Sequence, residues 1–129
     1  MVRFHNLIPT GELDDVAGTP ADFREWRRIG ETRFNQCYAD LISDADGITR
    51  AGLRDPSTGR TITVWSRAPH RYLVVYSGDA IPAPDARRAF AIEPMTCATD
   101  AFNHPEWGLE ILQPGARISG EYGIDVSAS

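Results

Sequence analysis

The chain has 129 residues, 42% of them apolar, which is enough for one compact domain with its own core. Its net charge of -5, with no cluster of basic residues on a periodic face, argues against nucleic acid as the main partner. No apolar run is long enough to span a membrane and no secretory pattern is present at the N-terminus, so we expect a cytoplasmic protein.

The sequence predicts strands and turns rather than helices. A first strand over residues 2–8 would end at a turn formed by Pro9, Thr10 and Gly11. Residues 11–30 are rich in Gly, Pro and Asp, and they predict a long irregular segment of the kind that often carries function.

The next strands are predicted in pairs. Residues 36–42 and 48–54 indicate a hairpin around a turn at 43–47. A second turn over residues 55–59 then leads into a strand over residues 60–66.

Strong alternation predicts further strands towards the C-terminus. Over residues 71–77, Tyr72, Val74 and Tyr76 would face away from Leu73 and Val75. The final segment has one apolar face, made of Ile118, Tyr122, Ile124 and Val126. Short strands separated by turns predict an all-β fold, and we expect residues 1–129 to form a single antiparallel β-sandwich domain.

Residues 89–103 carry the strongest functional signal. As a strand, this segment puts Phe90 and Ile92 on one face and Glu93 on the other, among alanines. A carboxylate on a face of small residues leaves room for a ligand above it. Pro94 is expected to end regular strand pairing at the rim of that pocket.

The same segment, Ala-Phe-Ala-Ile-Glu-Pro-Met-Thr-Cys-Ala-Thr-Asp-Ala-Phe-Asn, resembles the catalytic signature of the aldose 1-epimerase (galactose mutarotase) family. Four further segments resemble motifs of this family and occur in the expected order along the chain: residues 7–12, 18–24, 76–79 and 112–115. The resemblance covers nearly the whole chain and corresponds to the C-terminal part of a family member. It implies a galactose mutarotase-like supersandwich and a monosaccharide substrate, and the chemistry requires no cofactor.

Interconversion of sugar anomers needs a base for the C1 hydroxyl proton and an acid that protonates the ring oxygen. A glutamate in an ordinary environment is ionised at neutral pH and can serve as the base. The resemblance assigns this catalytic role to Glu93. The alternative is a strand-end glutamate that caps a loop or pairs with an arginine such as Arg87.

The remaining site candidates also rest on the resemblance. The family's acid is a histidine in an Asn-His or Asp-His motif, which this sequence lacks, and His104 is the local candidate to replace it or to bind substrate. Asn35 stands where the family has a sugar-binding Asp, and its amide could contact hydroxyls, unless it only begins a turn. Trp107 could stack on the apolar face of a sugar ring. The histidines and cysteines show no metal-ligand spacing.

Three functions therefore remain open. The first is an aldose 1-epimerase-like isomerase acting on galactose, glucose or a related hexose, with its acid supplied by a partner chain or a missing N-terminal portion. The second is a non-catalytic carbohydrate-binding module or inactive remnant, and the third is an interaction domain without a sugar role. Because a sheet cut from a larger sandwich exposes edges and an apolar face, we also expect a homo-oligomer or a complementing N-terminal portion.

Overall fold

The computed structural model describes residues 1–6 and 8–128, and within them the protein is all-β, as predicted. The strands are β1 Val2–His5, β2 Ile8–Leu13, β3 Asn35–Tyr38, β4 Thr49–Arg54, β5 Thr61–Ser66, β6 Tyr72–Tyr76, β7 Ala91–Met95 and β8 Tyr122–Ser127. Every strand pair is antiparallel, which is consistent with a β-sandwich. The described part of the chain holds no helix that could cross a membrane.

The strands form three small sheets. β1 and β2 make a two-stranded hairpin sheet, the central sheet has the order β3-β6-β7, and the outer sheet has the order β4-β5-β8. The central sheet carries both of the candidate residues Glu93 and Asn35.

Strand β6 is covered on both faces, as its alternating apolar sequence predicts. Leu73 and Val75 pack into an aromatic cluster with Phe34, Phe90 and Ile92. This cluster also contains Ala51 of β4, so it joins the central sheet to the outer one. Burial of these apolar side chains is the main source of stability for such a fold.

The opposite face of β6 packs into a second cluster, the hairpin cluster. Its buried members are Val2, Cys37, Ala98 and Trp107. Tyr72 and Val74 of β6 and Phe4 of β1 pack against them. The N-terminal hairpin therefore lies over the face of the central sheet that also carries Glu93.

The prediction of one strand over residues 2–8 was wrong, because the chain reverses at Asn6, where φ is 50°. His5 pairs with Ile8, and Phe4 pairs with Pro9. The expected turn at residues 9–11 is thus part of β2, where Pro9 is tolerated because β2 is an edge strand. Leu7 lies outside the described residues.

The predicted hairpin of residues 36–42 and 48–54 was also wrong. β3 pairs with β6 and β4 pairs with β5, so the two segments belong to different sheets. Strand-like pairing between them is limited to an isolated antiparallel bridge between Ser43 and Thr49 at the turn. The turn at residues 43–47 is present, but Asp40, with φ of 52°, redirects the chain before a hairpin can continue.

The irregular segment after β2 covers residues 14–34 rather than the predicted 11–30, and it is anchored to the core. The ring of Phe23 packs edge-on against Phe34 with a centroid distance of 4.9 Å. The hydroxyl of Tyr38 donates a hydrogen bond of 3.0 Å to the carbonyl of Ala21, and burial raises the pKa of Tyr38 to about 12. These contacts hold residues 14–34 against the central sheet.

Candidate active site

Glu93 lies in the middle of β7, on the face predicted from the sequence. Ile92 packs into the aromatic cluster on one side of the sheet, and Glu93 is exposed on the other. Its cross-strand neighbour is Val74, which in turn lies opposite Cys37 of β3. Since paired residues share a face, Glu93 stands at the end of a row whose other members are apolar.

Pro94 does not end the pairing of this strand, contrary to the prediction. Pro94 pairs with Leu73 and Met95 pairs with Tyr72, so β7 continues past the proline. β7 is an edge strand of the central sheet. The missing N–H of proline is tolerated at such an edge, where it can face away from the partner strand.

Asn35 projects from the same face of the central sheet as Glu93. It lies opposite Tyr76, which lies opposite Ala91, two residues before Glu93. Strand spacing and rise put the Cα atoms of Asn35 and Glu93 roughly 12 Å apart. Tyr76 and Val74 form the surface between them, and both Asn35 and Glu93 are exposed.

The alternative in which Glu93 pairs with Arg87 was wrong. Arg87 instead donates from Nη1 to Oδ1 of Asp79 at 2.6 Å, and from Nη2 to the carbonyl of Gly30 at 2.9 Å. Within the described residues, Glu93 has no ion pair and no side-chain hydrogen bond. Its carboxylate is therefore open to a ligand.

Trp107 belongs to the hairpin cluster, and His104 contacts it from outside the buried core. Their rings are stacked with a centroid distance of 4.4 Å and an interplanar angle of 27°. Trp107 is only 8% exposed, so its indole supports His104 rather than lying open to a sugar. Nδ1 of His104 is 3.4 Å from Oε1 of Glu106, and Gly11 of β2 lies against the imidazole.

The hairpin cluster connects the sheet that carries Glu93 to the loop that carries His104. Val74, next to Glu93, and Trp107, beneath His104, both belong to the hairpin cluster. Burial raises the pKa of the Cys37 thiol within this cluster, which keeps it neutral. Glu93 lines neither the cavity beside Arg67 and Arg71 nor the one beside Asp22 and Arg24, so the pocket predicted above Glu93 is not one of these two.

Comparison with known proteins identifies the family of the chain. The family model for aldose 1-epimerase matches residues 2–125. This chain belongs to the aldose 1-epimerase family. No curated protein and no solved structure gave a significant match.

Two of the marks shared with the aldose 1-epimerase family have visible structural roles. In residues 18–24, Asp22 accepts a hydrogen bond from Arg24 Nη2 at 2.7 Å, which lowers the pKa of the carboxylate, while Phe23 enters the core. In residues 76–79, Asp79 accepts hydrogen bonds from Ser77 and Arg87 just after the end of β6. These marks support the sheet that carries Glu93.

Two features of the site were missed from the sequence. Tyr76 lies between Asn35 and Ala91, and its hydroxyl accepts a hydrogen bond of 3.1 Å from the backbone N–H of Ala80. The sequence already placed Tyr76 on the same face of β6 as Val74. This predicts a place beside the candidate site only when the strands that pair with β6 are known. The contact between Gly11 and His104 carried no such signal, because it joins residues 93 positions apart.

Proposed function

We propose that the protein is an isomerase that interconverts the α and β anomers of a hexose of the galactose or glucose type. Its membership in the aldose 1-epimerase family supports this general chemistry. The observation that carries the proposal is the exposed carboxylate of Glu93, which has no partner among residues 1–6 and 8–128 and lies on the same sheet face as the amide of Asn35. We expect it to act as a single β-sandwich domain in the cytoplasm.

In this proposal Glu93 accepts the proton of the C1 hydroxyl, the ring opens, C1 rotates and the ring recloses. Asn35 can donate to and accept from sugar hydroxyls across the gap between the two side chains. The reaction also needs an acid at the ring oxygen. His104 is the local candidate for this acid, and a partner chain or a complementing N-terminal portion is the other source.

The test follows anomer exchange of freshly dissolved α-glucose and α-galactose by polarimetry or NMR. We expect the protein to accelerate exchange and Glu93→Gln to reduce the rate about 100-fold or more, since general base catalysis contributes at least that factor. Glu110→Gln, which changes an exposed glutamate outside the site, is the matched control and should retain the wild-type rate.

The outcomes separate the alternatives. Sugar binding without acceleration would support a carbohydrate-binding module, and neither binding nor acceleration would support an interaction domain. Equal activity of Glu93→Gln and Glu110→Gln would contradict the role of Glu93. Loss of activity in His104→Asn, with sugar binding retained, would assign the acid to His104.

A further inference from the structure

A cavity of about 430 Å³ lies near the end of the central sheet where β6 begins. One wall is formed by Arg67, His70 and Arg71, from the connection between β5 and β6. Asp40, Ser43 and Thr49 also line the cavity. The volume falls within the range of small-molecule sites in proteins.

The charge of this cavity is opposite to that of the whole chain. The protein has a net charge of -5, yet the cavity is lined by two guanidinium groups and one carboxylate. An excess of positive charge along a concave surface attracts anions.

Both guanidinium groups have unused donors. Within the described residues, Arg71 makes no side-chain hydrogen bond or ion pair. Arg67 Nε is 4.0 Å from Oε2 of Glu121, too long for a hydrogen bond, and that glutamate is 74% exposed. A planar guanidinium can bind a phosphate or carboxylate through two parallel hydrogen bonds, and these two side chains are available to do so.

Backbone hydrogen bonds fix the segment that carries the two arginines. Arg67 N–H donates to the carbonyl of Glu121 at 3.0 Å, and Arg71 N–H donates to the carbonyl of Met95 at 3.0 Å. Between them, the backbone N–H of His70 donates to the carbonyl of Arg67 at 3.0 Å, and its ring Nδ1 lies 3.0 Å from the same oxygen. A wall that is ordered before binding loses less entropy when a ligand arrives.

The lining residues Ser43 and Thr49 can form hydrogen bonds with hydroxyl groups of a ligand. The side-chain oxygens of Ser43 and Thr49 are 3.0 Å apart, and each can still exchange hydrogen bonds with a ligand. Asp40 adds an exposed acceptor. The cavity lining therefore combines cationic donors with hydroxyl and carboxylate oxygens.

We propose that this cavity binds a small hydroxylated oxyanion, a sugar phosphate or a sugar acid. Its anionic group would lie against Arg67 and Arg71, and its hydroxyls would face Ser43, Thr49 and Asp40. The site is separate from Glu93 and does not depend on anomer interconversion.

The test measures binding to the full chain by calorimetry with glucose 6-phosphate, gluconate, inorganic phosphate and glucose. We expect glucose 6-phosphate or gluconate to bind at least 10-fold more tightly than glucose, with affinity falling as salt is added. Comparison of glucose 6-phosphate with gluconate shows whether the cavity prefers a sugar phosphate or a sugar acid. The double variant Arg67→Gln/Arg71→Gln should lose at least 10-fold in affinity for the anionic ligand.

Two controls keep the test specific. Arg28→Gln/Arg60→Gln removes the same charge from exposed positions outside the cavity and should bind as the wild type does. Glu93→Gln should also leave anion affinity unchanged, which separates this site from the proposed sugar site. Unaltered affinity in the Arg67/Arg71 variant, or no binding of any anionic ligand, would overturn the proposal. Equal affinity for inorganic phosphate and glucose 6-phosphate would contradict the proposed contacts of the ligand hydroxyls with Ser43, Thr49 and Asp40.

Discussion

At the scale of single residues, Asp79 shows how a polar group outside the site can support it. Its carboxylate accepts hydrogen bonds from the hydroxyl of Ser77 and from Arg87, and these lower the pKa of Asp79. Ser77 in turn accepts a hydrogen bond of 2.8 Å from the backbone N–H of Phe34. Asp79 therefore ties the end of β6 to the residue just before Asn35.

We expect Asp79→Asn to lower the urea midpoint of unfolding at pH 7, because the asparagine cannot form the ion pair with Arg87. The pKa of Asp79 is depressed in the folded state, so its stabilisation is fully present above the unfolded pKa of about 3.9. It is lost as the pH falls through the lower folded pKa. The difference between wild type and variant should therefore shrink below about pH 4.

The measurement is a series of urea titrations from pH 7 to pH 2, followed by circular dichroism. Asp125→Asn removes an exposed carboxylate on β8 and should change the midpoint little at any pH. A constant difference between wild type and Asp79→Asn down to pH 2 would contradict the prediction.

At the scale of elements, the loop between β7 and β8 sets the position of His104. The backbone N–H of Ala98 donates to the carbonyl of Trp107, and the N–H of Trp107 donates to the carbonyl of His104. Gly108 closes this loop with φ of 86°, and an added Cβ there would lie 2.8 Å from the carbonyl oxygen of Thr96. The position of His104 thus depends on a glycine that follows it.

We expect Gly108→Ala to destabilise the protein more than Gly115→Ala. Both glycines have φ near 85°, so either substitution costs about 1–2 kcal/mol for the left-handed conformation. An added Cβ at Gly115 meets nothing within 4 Å, whereas at Gly108 the clash adds about 1–3 kcal/mol. Chemical denaturation of both variants checks this, and equal losses would show that the close contact at Gly108 is not significant.

At the scale of the whole molecule, the outer sheet leaves an apolar surface uncovered. The alternation predicted for the last strand is present from Tyr122 onwards, whereas Ile118 lies before β8 and is outside the strand. The apolar residues Tyr122, Ile124 and Val126 are 63–65% exposed. In the part of the chain that the structure describes, β8 is also an edge strand, with β5 as its one partner. Such an edge and face are protected in most proteins by another strand or another chain.

We expect the protein to self-associate through this surface, with an apparent mass above the 14.2 kDa of one chain at micromolar concentrations. Ile124→Lys should shift the protein towards the single-chain mass, because it places a charge in the contact. Ile111→Lys changes another exposed isoleucine, 76% accessible and outside the sheets, and is the control. Light scattering coupled to size exclusion makes the measurement, and a single-chain mass for the wild type at every concentration would rule the association out.

The sequence by itself determined the class of the fold, the side-chain alternation of β6 and β7, and the face on which Glu93 lies. These follow from a local rule, since successive side chains of a strand point to opposite faces. The family signature around Glu93 is equally local, because it is a run of neighbouring residues.

Only the tertiary structure decided which strands pair and which residues meet. β3 pairs with β6 rather than with its neighbour in sequence, and this places Asn35 on the same face as Glu93. Backbone hydrogen bonds are alike for all residues, so strand pairing is selected by burial of side chains from distant segments, here Leu73 and Val75 with Phe34 and Phe90. The burial of Trp107 and the exposure of β8 have the same origin, because each depends on what the rest of the chain places against it.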